Sequence, residues 1–254
     1  MDGEWTKHLD DLRGCLLKSL IGLLGGVVIA FLFVSFTLRF ISLPYINFLV
    51  HAGLPTTALL RSLAPTDTLE VTLRASILFG FVLSSPWIFY QCWWFIAPGL
   101  FQNERRRVLV LFSTLVFFFF TGVAFAYFVA LPTTISFLYT FTTSMGIAPD
   151  WAIANYFSFV ITFLVGFGLV FELPVAVVAL NSFGIVTLRM LTHYRRHVIV
   201  AIFIVAAIIT PGTDFVSQLI MALPLIALYE ISIAATRIIE KARISQKEIS
   251  KEEL

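Results

Sequence analysis

A carboxyl group inside a long apolar stretch is the feature of this sequence whose chemistry most needs a reason. Glu172 is the only charged residue between Trp151 and Leu188, and Pro174 follows two residues later. A charge at the centre of a bilayer costs about 2.5–3.5 kcal/mol on the mildest scales, so such a residue usually has a partner or a function. Proline bends a helix, so a kink is expected beside the carboxyl group. Together they predict a polar recess, suited to a proton relay or to docking a polar group from another membrane helix.

Three more polar residues lie close to or within the apolar stretch that follows. Asp214 can cap the N-terminus of the next helix, and Gln218 is expected to hydrogen-bond to a neighbouring helix. Glu230 lies near the far end of that helix, and we expect it to extend toward Arg237.

Two acidic segments flank the apolar stretches of the N-terminal half. In WTKHLDDLRGCL (residues 5–16) the apolar residues fall on one helical stripe, which predicts an amphipathic helix at the membrane surface. Asp10 and Asp11 lie off that stripe, and an Asp10–Arg13 pair would explain them without any function. In YQCWWFIAPGLFQNERRR (residues 90–107), Glu104 precedes three arginines and could simply pair with them.

Sequence patterns typical of enzymes are missing. The chain has no Walker, HExxH or GxSxG motif. Only His193 and His197 have helical spacing, and Cys15 and Cys92 have neither CxxC nor metal-ligand spacing. We therefore expect no enzyme activity, no metal or other cofactor, and no nucleic-acid partner.

The composition is that of a membrane protein. Of the 254 residues, 59% are hydrophobic and 13% charged, and the mean hydropathy is +0.95. Soluble domains average about 45–50% apolar and about 25% charged residues. The sequence predicts an all-α membrane domain of six spans at residues 19–236, between an amphipathic N-terminus (1–18) and a tail (237–254). The six spans are expected at about 19–38, 75–97, 108–131, 156–178, 197–210 and 215–236.

The loops and the ends of the spans complete this prediction. The third span should end near Leu131–Pro132, and residues 39–74 should form short interfacial helices. The fifth and sixth spans each contain an apolar run of only about 14–15 residues, or about 22 Å, against a hydrocarbon core of about 30 Å. All lysines and arginines except Arg39, Arg61 and Arg74 fall on the side of the two termini. The positive-inside rule therefore predicts that both termini are cytoplasmic.

A series of motifs resembles one family. These motifs are HLDDLR, YQCWWFIAPGLFQNERR, GVAFAYFVALP, FELPVA, TPGTDFVSQ and ALPLIALYE, in this order along nearly the whole chain. They resemble TatC, the six-helix core subunit of the twin-arginine protein translocase. The resemblance implies a concave, glove-like bundle in the inner membrane of a bacterium. It also implies export of folded proteins driven by the proton-motive force.

The resemblance also implies roles for particular residues. Asp11 and Glu104 would bind the arginine pair of a signal peptide, with Leu100 and Arg13 beside them. Carboxylates suit this task because guanidinium groups bind them in a bidentate manner. Asp11 stands where relatives usually have glutamate, and Cys15 where many have a basic residue.

A second set of implied contacts lies within the membrane. Glu172, Thr210 and Gln218 would dock the single helices of TatA- and TatB-type partners, and several copies of the chain would assemble in the receptor complex. Two other functions fit the residues alone. A proton-coupled transporter could use Glu172 as its relay, and a passive scaffold would leave the acidic residues without a function.

Overall fold

The computed structural model describes residues 2–53, 60–96, 105–182, 184–209 and 215–252, and this part of the chain is helical throughout apart from turns and one isolated backbone bridge. The helices are α1 (Asp2–Leu32), α2 (Val34–His51), α3 (Asp67–Ile96), α4 (Arg105–Phe125), α5 (Leu131–Ser144), α6 (Ile153–Val170), α7 (Leu173–Ser182), α8 (Leu188–His193), α9 (Arg195–Ile209) and α10 (Phe215–Glu252). A π-helical turn, Ala126–Ala130, joins α4 to α5.

Several helical stretches match the length and apolarity that a bilayer requires. In the described part of the chain five qualify: Asp10–Leu32, Asp67–Trp94, Val110–Ser144, Ile153–Ser182 and Phe215–Lys241. The expected fifth span, about 197–210, corresponds to α9, whose 15 residues extend only about 22 Å. The prediction of an equally short sixth span is wrong, because the apolar stretch in α10 continues for 27 residues, Phe215–Lys241. The chain is therefore an all-helical, multi-pass membrane protein.

The N-terminal region differs from the expected layout. Helix α1 is continuous from Asp2 to Leu32, without a turn between a surface helix and a span. The reason is local, because no proline interrupts this stretch. The expected first span, about 19–38, crosses the break at Phe33 where α2 begins. Helix α2, 18 residues long, continues from there into the segment expected to hold short interfacial helices.

The third helical stretch corrects a prediction. We expected it to end near Leu131–Pro132, but the helix continues to Ser144. The π-turn explains this, because the N–H of Leu131 bonds to the carbonyl of Ala126, five residues back. Pro132 then lies in the first turn of α5, where a missing N–H is tolerated.

The hydrophobic core is centred on α6, which packs against α3, α4 and α9. Phe163 and Phe167 are completely buried there. The crossing of α4 and α6 depends on two glycines. A Cβ at Gly122 would lie 2.7 Å from the carbonyl oxygen of Phe167, and one at Gly168 would lie 2.8 Å from the ring of Phe119. Only glycine lets the two backbones approach this closely.

Helix α2 is tied to the core by two tyrosines. Pro44 lies inside α2 and has no N–H, which leaves the carbonyl of Phe40 without its helical partner. The hydroxyl of Tyr127 donates to that carbonyl at 2.8 Å, and the hydroxyl of Tyr156 donates to the carbonyl of Ile41 at 3.0 Å. Tyr127 thus compensates for the missing N–H of Pro44, and Tyr156 adds a second bond that holds α2 against α6.

Candidate functional site

The interruption between α6 and α7 places Glu172 in a turn. The N–H of Phe171 bonds to the carbonyl of Phe167 at 2.9 Å, and the N–H of Glu172 reaches only three residues back, to Leu169, at 3.2 Å. Helix α7 then begins at Leu173, with Pro174 in its first turn. Because proline needs no hydrogen-bond acceptor there, it favours a new helix start at this point.

The carboxyl group of Glu172 has no partner in the described part of the chain. Both oxygens are shielded from solvent, and neither makes a hydrogen bond to a described residue. The group lies beside the backbone of Phe119 on α4, one turn beyond the close crossing at Gly168. A buried polar atom without a hydrogen bond costs about 1–3 kcal/mol. A polar group from another helix would recover that cost.

Gln218 already has a partner within the chain. Its side-chain amide donates to the carbonyl of Phe203 at 2.9 Å, which joins α10 to α9. This is the contact between helices that its position in an apolar helix suggested. Among the described residues no hydrogen bond links Gln218 to Glu172. Thr210 and Asp214, the other predicted residues of this region, lie outside the described residues.

The predicted signal-peptide residues are described only on α1. Asp11 and Arg13 are exposed, and no ion pair joins either of them to another residue within the described ranges. The alternative Asp10–Arg13 pair is therefore not formed in the structure. Leu100 and Glu104 lie outside the residues that the structure describes. Asp11 thus presents to its surroundings a carboxylate that forms no ion pair with any described residue.

Glu230 corrects a prediction about ion pairing. We expected it to extend toward Arg237, but its carboxylate lies 2.6 Å from the guanidinium of Arg195, at the start of α9. The fold brings these residues together across 35 positions of sequence, whereas Arg237 is two helical turns away on the same helix. Glu230 consequently helps to hold α9 against α10.

Sequence reasoning missed the residue that anchors the segment between α7 and α8. The carboxylate of Glu240, on α10, accepts a hydrogen bond from the side chain of Asn181 at 2.9 Å and one from the N–H of Leu188 at 3.0 Å. Nearby, the hydroxyl of Tyr229 donates to the carbonyl of Leu191 at 2.7 Å. Glu240 lies in a charged helical end that resembles a solvated tail, so nothing in the sequence indicated this role.

The described residues include no group of three or more His, Cys, Asp or Glu side chains that could hold a metal ion. Cys15 and Cys92 are free thiols. The site residues that the structure does describe can therefore bind charged or polar groups through hydrogen bonds and ion pairs.

Comparison with known proteins gives consistent results over nearly the whole chain. The family model described as Sec-independent protein translocase protein (TatC) matches residues 7–224. Sec-independent protein translocase protein TatC of Carboxydothermus hydrogenoformans is 36% identical, over 94% of this chain and 95% of its own length. The protein of the same description from Aquifex aeolicus is 36% identical, over 97% and 98%. A crystal structure of the twin arginine translocase receptor TatC in DDM gives a TM-score of 0.81 at 35% identity, covering 90% of this chain and 99% of that chain.

Proposed function

Because the chain belongs to the TatC family of Sec-independent protein translocase proteins, we propose that it is the subunit that receives twin-arginine signal peptides and recruits TatA- and TatB-type partners. It is a transport protein and not an enzyme. We further propose six spans with α9 as the short fifth, a concave bundle, both termini in the cytoplasm, and a place in the inner membrane of a bacterium.

The observation that carries the receptor proposal is the exposed carboxylate of Asp11. It has no ion-pair partner among the described residues, and it lies at the start of the stretch Asp10–Leu32 that could cross the membrane. A carboxylate at that depth is available to a cationic ligand on the membrane surface. In our proposal Glu104 supplies a second carboxylate, and Leu100 and Arg13 contact the peptide beside the arginine pair.

Peptide binding to the purified chain in nanodiscs tests this proposal. A labelled peptide with two arginines is compared with the same peptide carrying two lysines, so that charge is equal and only the bidentate geometry differs. We expect the arginine peptide to bind at least about tenfold more tightly, since charge-assisted hydrogen bonds contribute about 1.5–3 kcal/mol each.

Substitutions identify the residues responsible. Glu104→Ala and Asp11→Asn should each abolish most of the preference for arginine, whereas Asp10→Asn, a neighbouring carboxylate on the same helix, serves as the matched control. Equal binding of the two peptides would contradict the receptor proposal. A preference that survives Glu104→Ala would contradict the assignment of that residue.

The unpartnered carboxyl of Glu172 supports the second half of the proposal, which concerns partner docking. A transmembrane helix that carries a polar side chain could hydrogen-bond to it, and an interhelical bond of this kind contributes about 0.6–2 kcal/mol. Gln218, in the first turn of α10, and Thr210 would extend the docking surface. The hydrogen bond from Gln218 to the carbonyl of Phe203 limits the contribution of Gln218 to docking, because one N–H of its amide is already used.

Cross-linking to the partner helix tests the docking proposal. Glu172→Ala should reduce cross-linking of a TatA-type helix while leaving signal-peptide binding unchanged. Glu172→Gln, which keeps a hydrogen-bonding group of the same size, should retain more of the cross-linking. An unchanged cross-linking pattern in Glu172→Ala would contradict the docking role.

The same carboxyl group is the only observation that favours the alternative of a proton-coupled transporter. We propose instead that the proton-motive force acts on the assembled complex, which contains several copies of this chain. Uptake of small solutes into proteoliposomes under a pH gradient distinguishes the two. Translocase function predicts no uptake by the isolated chain.

A further inference from the structure

Helices α1 and α3 run antiparallel in a constant register. A Cβ at Gly26 would lie 2.6 Å from the carbonyl oxygen of Gly80, and one at Gly22 would overlap the indole of Trp87. The indole nitrogen of Trp87 also donates to the carbonyl of Lys18 at 3.1 Å. Residues closer to the N-terminus of α1 thus contact residues closer to the C-terminus of α3.

This register brings two cysteines to the same point of the helix pair. Cys15 precedes Gly22 by two turns, Cys92 follows Trp87 by somewhat more than one, and the two thiols are close enough to interact electrostatically. Both thiols are free, Cys92 being exposed and Cys15 partly so. Both residues lie near the ends of the two membrane-crossing stretches, which begin at Asp10 and end at Trp94.

We propose that Cys15 and Cys92 form a dithiol site that a hydroperoxide oxidises to a disulfide between α1 and α3. The thiolate of Cys92, the more exposed of the two, attacks one peroxide oxygen and becomes a sulfenic acid. The O–O bond breaks, and the departing hydroxide takes up a proton to give one water molecule. The thiolate of Cys15 attacks the sulfenic sulfur and displaces hydroxide, which takes up a proton to give a second water molecule. In total, two thiols and one hydrogen peroxide give one disulfide and two water molecules.

The packing near the pair bears on whether a disulfide can form. A disulfide requires Cα atoms about 4.4–6.8 Å apart, and the contacts of Trp87 with Gly22 and Lys18 hold α1 against α3 within two turns of the cysteines. The bond would also matter structurally. Only 11% of the residues in the most apolar 18-residue window of α1 are buried, and α3 is by far its main packing partner. A covalent link therefore fixes a helix that packs almost entirely against one neighbour.

Peptide mapping of the oxidised protein tests the proposal. The full chain in nanodiscs is treated with hydrogen peroxide, the reaction is stopped with catalase, and remaining thiols are alkylated before digestion without reductant. We expect a cross-linked peptide pair that contains Cys15 and Cys92, and loss of both free thiols. A reductant should restore them. Two thiols that remain alkylatable, or a disulfide that joins two molecules, would overturn the proposal.

A shifted thiol supplies the matched control. In the double variant Cys15→Ser/Leu16→Cys, the thiol moves by about 100° around α1, to a position where the side chain is 61% exposed. This variant should form the intramolecular disulfide at least tenfold more slowly. Equal rates would show that mobility, and not this juxtaposition, makes the bond.

Amide exchange tests the structural consequence. In the oxidised wild-type chain, exchange along the N-terminal half of α1 should slow severalfold, and Cys92→Ser treated in the same way should show no change. Unchanged exchange in a fully oxidised wild-type sample would contradict the view that the bond fixes α1. None of these measurements involves a signal peptide, so they test the disulfide proposal independently of the receptor proposal.

Discussion

Helices α1 and α6 have similarly apolar sequences but opposite situations in the bundle. In the most apolar 18-residue window of α1 11% of the residues are buried, against 44% in the corresponding window of the stretch Ile153–Ser182 that contains α6. Helix α6 contacts helices on several sides, whereas α1 lies almost entirely against α3. Hydropathy alone would have treated the two helices as equivalent.

The difference shows where small residues matter. Both helices use glycine at a close crossing, α6 at Gly168 and α1 at Gly26. In α6 the crossing lies within a core of buried phenylalanine rings, so the neighbouring side chains cannot move aside to accommodate a larger residue. In α1 the crossing lies at the edge of the bundle, where the helix can move away. The same substitution should therefore have different effects at the two places.

The largest effect is expected at the central crossing. In Gly122→Leu the new Cβ would lie 2.7 Å from the carbonyl oxygen of Phe167 and from the Cβ of Phe171. Overpacking of this kind costs about 1–3 kcal/mol, so the apparent Tm in detergent should fall by about 5–10 °C. Gly25→Leu on α1, with no atom within 4 Å of the new Cβ, is the control and should not lower it. Equal losses would refute the contrast between the two helices.

The next effect concerns the hydrogen bond that compensates for Pro44. Tyr127→Phe removes the donor to the carbonyl of Phe40, and leaving a buried acceptor unpaired costs about 1–3 kcal/mol. Tyr139→Phe loses the same hydroxyl where it makes no hydrogen bond to a described residue, and should be nearly neutral. Thermal unfolding of both variants measures the difference. Similar Tm values would mean that water satisfies the carbonyl in the variant.

A smaller global effect is expected at the edge crossing. In Gly80→Ala the new Cβ would lie 2.5 Å from the Cα of Val27, so α1 must move outward from α3. We expect faster amide exchange in α1, with a Tm loss less than half of that in Gly122→Leu. A loss of equal size would show that α1 belongs to the same cooperative unit as α6.

The smallest effect is expected at the N-terminal end of α6. Arg61 and Asp150 form an ion pair of 3.0 Å, but their side chains are 70% and 55% exposed. Exposed pairs contribute about 0–1 kcal/mol, so Asp150→Asn should shift the Tm by no more than about 2–3 °C. The backbone bonds of Arg61 to Trp151 and Ile153 remain in this variant. A larger shift would indicate that the pair is shielded from solvent in the membrane.

Hydropathy was sufficient to predict an all-helical membrane protein, the short helix α9 and an interruption near Glu172. It could not predict the continuation past Pro132, because a π-turn in the sequence AYFVA has no characteristic residue. It also could not reveal that Glu230 pairs with Arg195, since Arg237 offered a partner closer in sequence. Local patterns decide where helices form, whereas the fold decides which polar residues meet.

The candidate site also combines features that local sequence predicts with contacts that only the fold determines. The type and isolation of Glu172 indicated a partner, and the structure shows that no described residue of the chain supplies one. The contact of Gln218 with another helix followed from its apolar surroundings, but its acceptor, Phe203, did not. The spacing of residues along the sequence predicts neither the proximity of Cys15 and Cys92 nor the hydrogen bonds of Glu240. Both depend on helices that are distant in sequence.

The tyrosine bonds of α2 also set an order of assembly during synthesis. The carbonyls of Phe40 and Ile41 emerge from the ribosome 87 and 115 residues before the tyrosines that bond to them. At about 5–20 residues per second, α2 waits roughly 6–23 seconds for its last partner. During that interval the helix must be sheltered by lipid or by the insertion machinery. The second helix to be translated therefore cannot complete its contacts until α6 has been made.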